Sequence, residues 1–117
     1  MIQQHSKTFR MSRAGRRYMA FLATFNSGDV NKMKEFVETI FDPFSFTDEF
    51  VDEFVTWYRK VYARSGGIRI HRTFLTQDNY IIVIVQSADG RMYLDKMAIT
   101  DDDPYLITEY NHQEKPL

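Results

Sequence analysis

The chain has no cysteine, three prolines, five glycines and a single tryptophan among its 117 residues. Without cysteine, disulfides, thiolate nucleophiles and cysteine-ligated zinc or iron–sulfur centres are excluded. No apolar run approaches the roughly 20 residues that a helix needs to cross a bilayer; the longest, Tyr80 to Val85, is the length of a strand. The first residues carry charge with no apolar stretch behind it, so no secretory leader is expected and the reading is a soluble, cytoplasmic protein. There is no glycine-rich phosphate loop, no glycine elbow around Ser27, Ser45, Ser65 or Ser87, and no His, Asp or Glu pair at metal-ligand spacing. Neither cofactor nor metal is therefore expected. What is present, 44% hydrophobic and 26% charged residues, suits one domain with its own core.

A net charge of −1 conceals an asymmetry. Residues 1–17 carry Lys7, Arg10, Arg13, Arg16 and Arg17 and no acid, leaving ten bases against sixteen acids for the rest. The first 13 residues read as a basic arm, with Arg10, Arg13, Arg16 and Arg17 as contacts for an acidic protein partner. The alternative is a solvated, frayed helix start. Only Phe9 interleaves these bases and the remainder is acidic, so nucleic acid is not an expected partner, and neither is a membrane.

Apolar periodicity predicts three helices. Ala14, Tyr18, Phe21, Leu22 and Phe25 share one face behind Ser12 as N-cap, and Asn26-Ser27-Gly28 stops the helix. Asp29 caps a second helix with Val30, Met33, Phe36, Val37 and Ile40 on one face, ended by Pro43. The third runs from about Thr47, with Phe50, Phe54, Trp57, Tyr58, Val61 and Tyr62 as an aromatic stripe, to Gly66-Gly67. Four strands follow at 68–75, 80–87, 91–99 and 105–111, the first three joined by short turns at 77–79 and 88–90. Helices followed by strands give an α+β order: three N-terminal helices packed on a curved four-stranded antiparallel sheet. In the third strand Met92 and Leu94 have one parity and Met97 and Ile99 the other, which predicts a β-bulge near Asp95. The single domain spans residues 14–112, and 113–117 form a tail.

The stretch Tyr18-Met19-Ala20-Phe21-Leu22-Ala23-Thr24-Phe25-Asn26-Ser27-Gly28-Asp29, followed by Met33 and Phe36, resembles the opening of a nuclear transport factor 2-like domain. Tyr58-Arg59, Gly66-Gly67-Ile68, the Asp89-Gly90 hairpin and Pro104 before the last strand agree in order, so the likeness covers residues 14–111. It is similar to small SnoaL-like members with the cystatin-like α+β cone, which occur alone or beside serine-hydrolase domains. The resemblance implies a cone with a pocket between sheet and helices, usually dimeric through the sheet. The superfamily includes ketosteroid isomerases, polyketide cyclases, scytalone dehydratase-like enzymes and many domains without catalysis, so the fold does not select among them.

Two functional readings follow. One is a non-catalytic domain whose pocket, lined by Tyr18, Phe21, Phe54, Trp57, Tyr58 and Tyr93, binds a small hydrophobic molecule or a protein partner. The other is an isomerase, cyclase or dehydratase-like enzyme acting on a carbonyl substrate, with Asp95 or His71 as base and Tyr18 as phenol donor. Each candidate has a bland counterpart. Tyr18 reads more simply as a core tyrosine, Asp95 as a solvent-facing strand residue or a partner of Lys96 or Arg69, and His71 as an exposed strand histidine. His5 and His112 fall in tails, and Asp101 to Asp103 read as a solvated corner. The second strand is apolar on both faces, so Ile82, Val83 and Ile84 are candidates for a sheet face buried against a second copy of the chain.

Overall fold

Ser12 ends one helix and starts another. In the computed structural model, which describes residues 8–115, a short helix, α1 (8–11), runs into Ser12. The Ser12 hydroxyl accepts from the Gly15 N–H and donates to the Phe9 carbonyl, both at 2.9 Å. Helix α2 (Arg13–Asn26) follows. The described residues thus hold four helices rather than the expected three, and α1 lies inside the stretch read as a basic arm. The cause is Phe9, which is buried edge-on against Tyr18 with ring centroids 6.1 Å apart and so folds the chain back. Gly15 permits the approach, because a Cβ there would lie 1.8 Å from the Phe9 carbonyl oxygen. His5 and Lys7 lie outside the described residues.

The corner at Asn26 does more than stop a helix. Its side-chain amide donates to the Ile68 carbonyl at 2.7 Å and accepts from the Ile68 N–H at 2.9 Å, which clamps the end of α2 to the start of the sheet. Gly28 then takes φ +68°, and the Asp29 carboxylate caps α3 (Val30–Ile40) by accepting from the Asn31 and Lys32 N–H groups. Helix α4 (Phe50–Ser65) begins later than the Thr47 signal suggests, because the Thr47 carbonyl closes a turn with the Phe50 N–H at 3.0 Å. It ends at Gly66 in the left-handed conformation, φ +71°.

Strands β1 (Ile68–Thr76), β2 (Tyr80–Ser87), β3 (Met92–Ile99) and β4 (Ile107–Glu114) form one open antiparallel sheet in the order β1-β2-β3-β4. Its inner face meets the helices in a core where Phe21 and Phe25 pack with Val83, Val85, Tyr93 and Met97. Strand alternation therefore sends Val83 inward, into the core, and Ile82 and Ile84 to the opposite face.

There is no bulge at Asp95. The β2–β3 register is unbroken from Tyr80↔Ala98 to Gln86↔Met92, and Tyr93, Asp95, Met97 and Ile99 are all buried in strict alternation. The change in apolar parity has another origin: the inward row contains a carboxylate, and the outward row carries Met92 and Leu94. Register shifts occur instead in β1, where His71 and Phe74 have no partner on β2, and after Ala98. β4 starts later and runs past the expected end at 111, so pairing continues through Glu114 and His112 belongs to the sheet rather than to a tail.

Candidate active site

Because β3 alternates without interruption, Asp95 projects into the core, where it is completely shielded from solvent. A carboxylate there is costly unless its oxygens are met by donors. Three converge on it. The Tyr18 hydroxyl, from the middle of α2, donates to Oδ2 at 2.6 Å, and the Tyr110 hydroxyl, from β4, donates to the same oxygen at 3.2 Å. His112, directly opposite Asp95 in the β3–β4 register, places Nδ1 in a short hydrogen bond with Oδ1. Three donors on two oxygens fit an ionised, acceptor-only carboxylate, and the network then puts the His112 proton on Nδ1. In the neutral ring Nε2 then carries the lone pair.

The tyrosines are fixed as neutral donors. Burial, followed by the Asp95 charge, holds the Tyr18 hydroxyl well above the ordinary phenol value, and the same two causes act on Tyr110. The His112 side chain is 4% exposed, clasped by aromatic rings. Tyr93 stacks on it at 4.3 Å with an interplanar angle of 20°, and Trp57 meets it nearly edge-on at 5.6 Å. Nε2 of His112 and the hydroxyl of Tyr93 are both buried without a hydrogen-bond partner.

A pocket of about 310 Å³ opens beside this cluster. Helix α4 supplies Phe50, Glu53, Phe54 and Trp57 to its wall, one helical face spaced at three and four residues. Tyr110, Asn111 and His112 of β4 form the other side. Asp95 does not reach the pocket, so His112 and Tyr110 are the members of the cluster that meet an occupant. A larger cleft, about 470 Å³, lies between Gly66-Gly67 and the 86–90 turn, but Arg69 there is already bonded to Gln86 at 3.0 Å, the Asn26 amide is committed to the Ile68 backbone, and the rest is glycine, Ser87 and Ala88. The buried acid–base group beside it makes the smaller pocket the candidate site.

The structure brings together Tyr18, Asp95, Phe54, Trp57 and Tyr93 of the residues singled out from the sequence. Tyr18 is not a donor open to a substrate, since its hydroxyl is committed to Asp95. Asp95 pairs with neither Lys96 nor Arg69. His71 is exposed on β1, away from the cluster. Phe21 lies beneath the site, 4.6 Å from the Tyr110 ring, and Tyr58 is turned to another task, donating to the Phe25 carbonyl at 2.7 Å. Among the arginines, Arg13 pairs with Asp78 at 2.5 Å and Arg17 donates to the Tyr105 carbonyl at 2.9 Å, both within the chain. His112 and Tyr110 were missed. Their signal is Tyr110-x-His112 alternating with Glu109, Asn111 and Gln113, a half-buried strand pattern that extends beyond 111.

Among the described residues no group of three or more His, Asp or Glu could hold a metal ion, and no helix is long and apolar enough to cross a membrane. No protein-family model, curated protein or solved structure matches the chain.

Proposed function

We propose that the chain is a nuclear transport factor 2-like domain that takes a small hydrophobic molecule into the pocket between α4 and β4 and moves a proton on it, as an isomerase, cyclase or dehydratase does on a carbonyl substrate. One observation carries the reading: His112, lining an aromatic pocket, has one nitrogen on a buried carboxylate and the other buried without a partner. Nε2 then accepts a proton from carbon beside a carbonyl, Asp95 stabilises the imidazolium that forms, and the proton returns at a second position. Asp95, Tyr18 and Tyr110 are positioning residues in this scheme, holding the ring and its tautomer. The helices on one face of a four-stranded meander, with a pocket between the layers, support the cone.

The test uses 3-cyclohexenone in D₂O, following its conversion to the conjugated enone and deuterium uptake beside the carbonyl. His112→Gln should remove a rate advantage on the order of 10²–10⁴. Asp95→Asn should reverse the tautomer and shift the pH profile as well as the rate. Nitrogen shifts of His112 decide independently of substrate: a proton on Nε2 instead of Nδ1 would overturn the base role.

A second reading, a non-catalytic binding domain, is favoured by the completeness of the Asp95 contacts, since both oxygens are already occupied. Binding of a ketone without turnover or exchange would select it. Under either reading the outer sheet face, with the half-buried Ile82, Met92 and Leu94 at its centre over the buried Ile84 and with Arg69, Arg72 and Lys96 around them, is the surface for a second copy. An acidic partner would meet Arg10, whose neighbours Arg13, Arg16 and Arg17 are engaged internally, Arg16 with the Met11 carbonyl at 3.0 Å.

A further inference from the structure

Among the described residues that line the α4–β4 pocket, Glu53 is the only carboxylate, and no lysine or arginine stands with it there. We infer that Glu53 and the aromatic rings around it form the binding site for a methylated ammonium group on the guest, which makes the substrate class a ketone that carries such a cation. This rests on the pocket reading above and specifies its substrate. A methylated ammonium presents hydrocarbon at its surface while carrying a full charge, so it suits a wall that is mostly aromatic and has one acid in it.

The placement follows from α4. Phe50, Glu53, Phe54 and Trp57 recur at three- and four-residue spacing, so the carboxylate has an aromatic ring one turn before it and another one turn after it. Tyr110 stands across from them on β4, its ring centroid 6.0 Å from those of both Phe54 and Trp57 and its plane inclined to theirs by 61° and 70°. Phe54 and Trp57 are themselves inclined to each other by 53°. Rings set at such angles wall a space on several sides, whereas a flat aromatic guest asks for parallel plates. Their negative faces attract a cation, tryptophan most strongly, and the carboxylate adds a full charge of the same sign.

That charge is not used within the chain. Glu53 is exposed and forms no ion pair among the described residues. Its place in the first turn of α4 suits the helix dipole, but Asp52 serves the dipole equally and lies outside the pocket, in the adjoining groove. An anionic guest would meet Glu53 with no opposing cation on the wall, and a neutral one gains nothing from it. Because Glu53 belongs to α4 and His112 to β4, an ammonium held by the first leaves the carbonyl end of the guest for the second.

The experiment compares acetonyltrimethylammonium with methyl neopentyl ketone, two methyl ketones of one shape that differ in a charged nitrogen for a carbon. Binding is followed by ligand-observed NMR and by the fluorescence of Trp57, the only tryptophan. A merely apolar pocket favours the neutral ketone, because a cation resists leaving water. The wild-type chain should reverse that order and bind the cation at least about fivefold more tightly. Glu53→Gln should weaken the cation several-fold and leave the neutral ketone unchanged, whereas Asp52→Asn should alter either far less. Equal or tighter binding of the neutral ketone by the wild-type chain overturns the cation site and leaves the pocket standing. A preference that Glu53→Gln does not diminish, or that Asp52→Asn diminishes as much, also overturns it, by showing that the attraction comes from the acidity of the surface at large. Failure of both ketones to bind removes the pocket reading itself, and the cation site with it.

Discussion

Tyr18→Phe is the substitution that tests whether the core is organised around a charge. The change deletes one oxygen and almost no volume, so the cavity contribution is small and the lost interaction is a 2.6 Å hydrogen bond to a buried carboxylate. Bonds to charged groups contribute about 1.5–3 kcal/mol, and a chain of this length loses roughly 4 °C in Tm per kcal/mol. Tyr18→Phe should therefore lower Tm by about 6–12 °C. Tyr110→Phe, which removes a 3.2 Å contact to the same oxygen, should cost less. The two hydroxyls share one acceptor, so their losses should not be additive. The cycle that isolates the charge combines Tyr18→Phe with Asp95→Asn, which keeps an acceptor oxygen but removes the ionised group. In the Asp95→Asn background the cost of losing the Tyr18 hydroxyl should fall to about 1 kcal/mol, the value of a neutral pair. The assay is urea unfolding at neutral pH with circular dichroism. An equal cost in both backgrounds, or a Tyr18→Phe cost below about 0.5 kcal/mol, would refute the reasoning and make Tyr18 an ordinary core ring.

Alkaline titration reads the same cluster differently. Tyr18 and Tyr110 keep their protons in the folded chain, through burial and then the Asp95 charge, while the unfolded chain releases them from about pH 10. The unfolded state then holds fewer protons, so their contribution is complete below about pH 10 and is lost as pH rises beyond it; the urea midpoint should fall there, less steeply in Tyr18→Phe. Gly15→Ala should expel α1, exposing Phe9 at a cost of about 1.5–3 kcal/mol and opening the chain ahead of Ser12 to proteolysis; protection unchanged from wild type would mean that Gly15 is not what admits Phe9. Ile82→Lys should leave the fold intact and reduce the mass in solution from two chains to one by light scattering, whereas Val83→Lys, which places a charge in the core, should unfold the chain. An unaltered mass in Ile82→Lys rejects pairing through the sheet.

Most of the architecture was legible because the signals were local. Ser12, Asp29, Gly28 and Gly66 act as cap and stop residues through their own backbone and side chains, and the turns at 77–79 and 88–90 lie where short polar segments separate apolar runs. Errors arose where one residue's position depended on distant partners. Phe9 draws α1 into order only because Tyr18 and Gly15 are there to receive it. Asp95 mimicked a break in β3, because a charged residue in an inward row is indistinguishable from a bulge until its three donors are seen. Those donors come from positions 18, 110 and 112, two of them in the last strand. Asp95 was thus found from the sequence as a residue but not as a group, and His112 was overlooked with the strand end that carries it.

The two bulges of β1 bear on how this chain can meet others of its kind. His71 and Phe74 stand out of register on β1, one of the two outermost strands, so its free edge presents an interrupted row of backbone donors and acceptors. A further strand laid along it would find its ladder broken twice within a few residues, which discourages the edge-to-edge growth that leads to fibres. Contact through the flat of the sheet, by contrast, is self-limiting, because a two-fold pairing uses up the surface that makes it. The same irregularities that leave Phe74 exposed therefore favour assemblies that close over those that propagate.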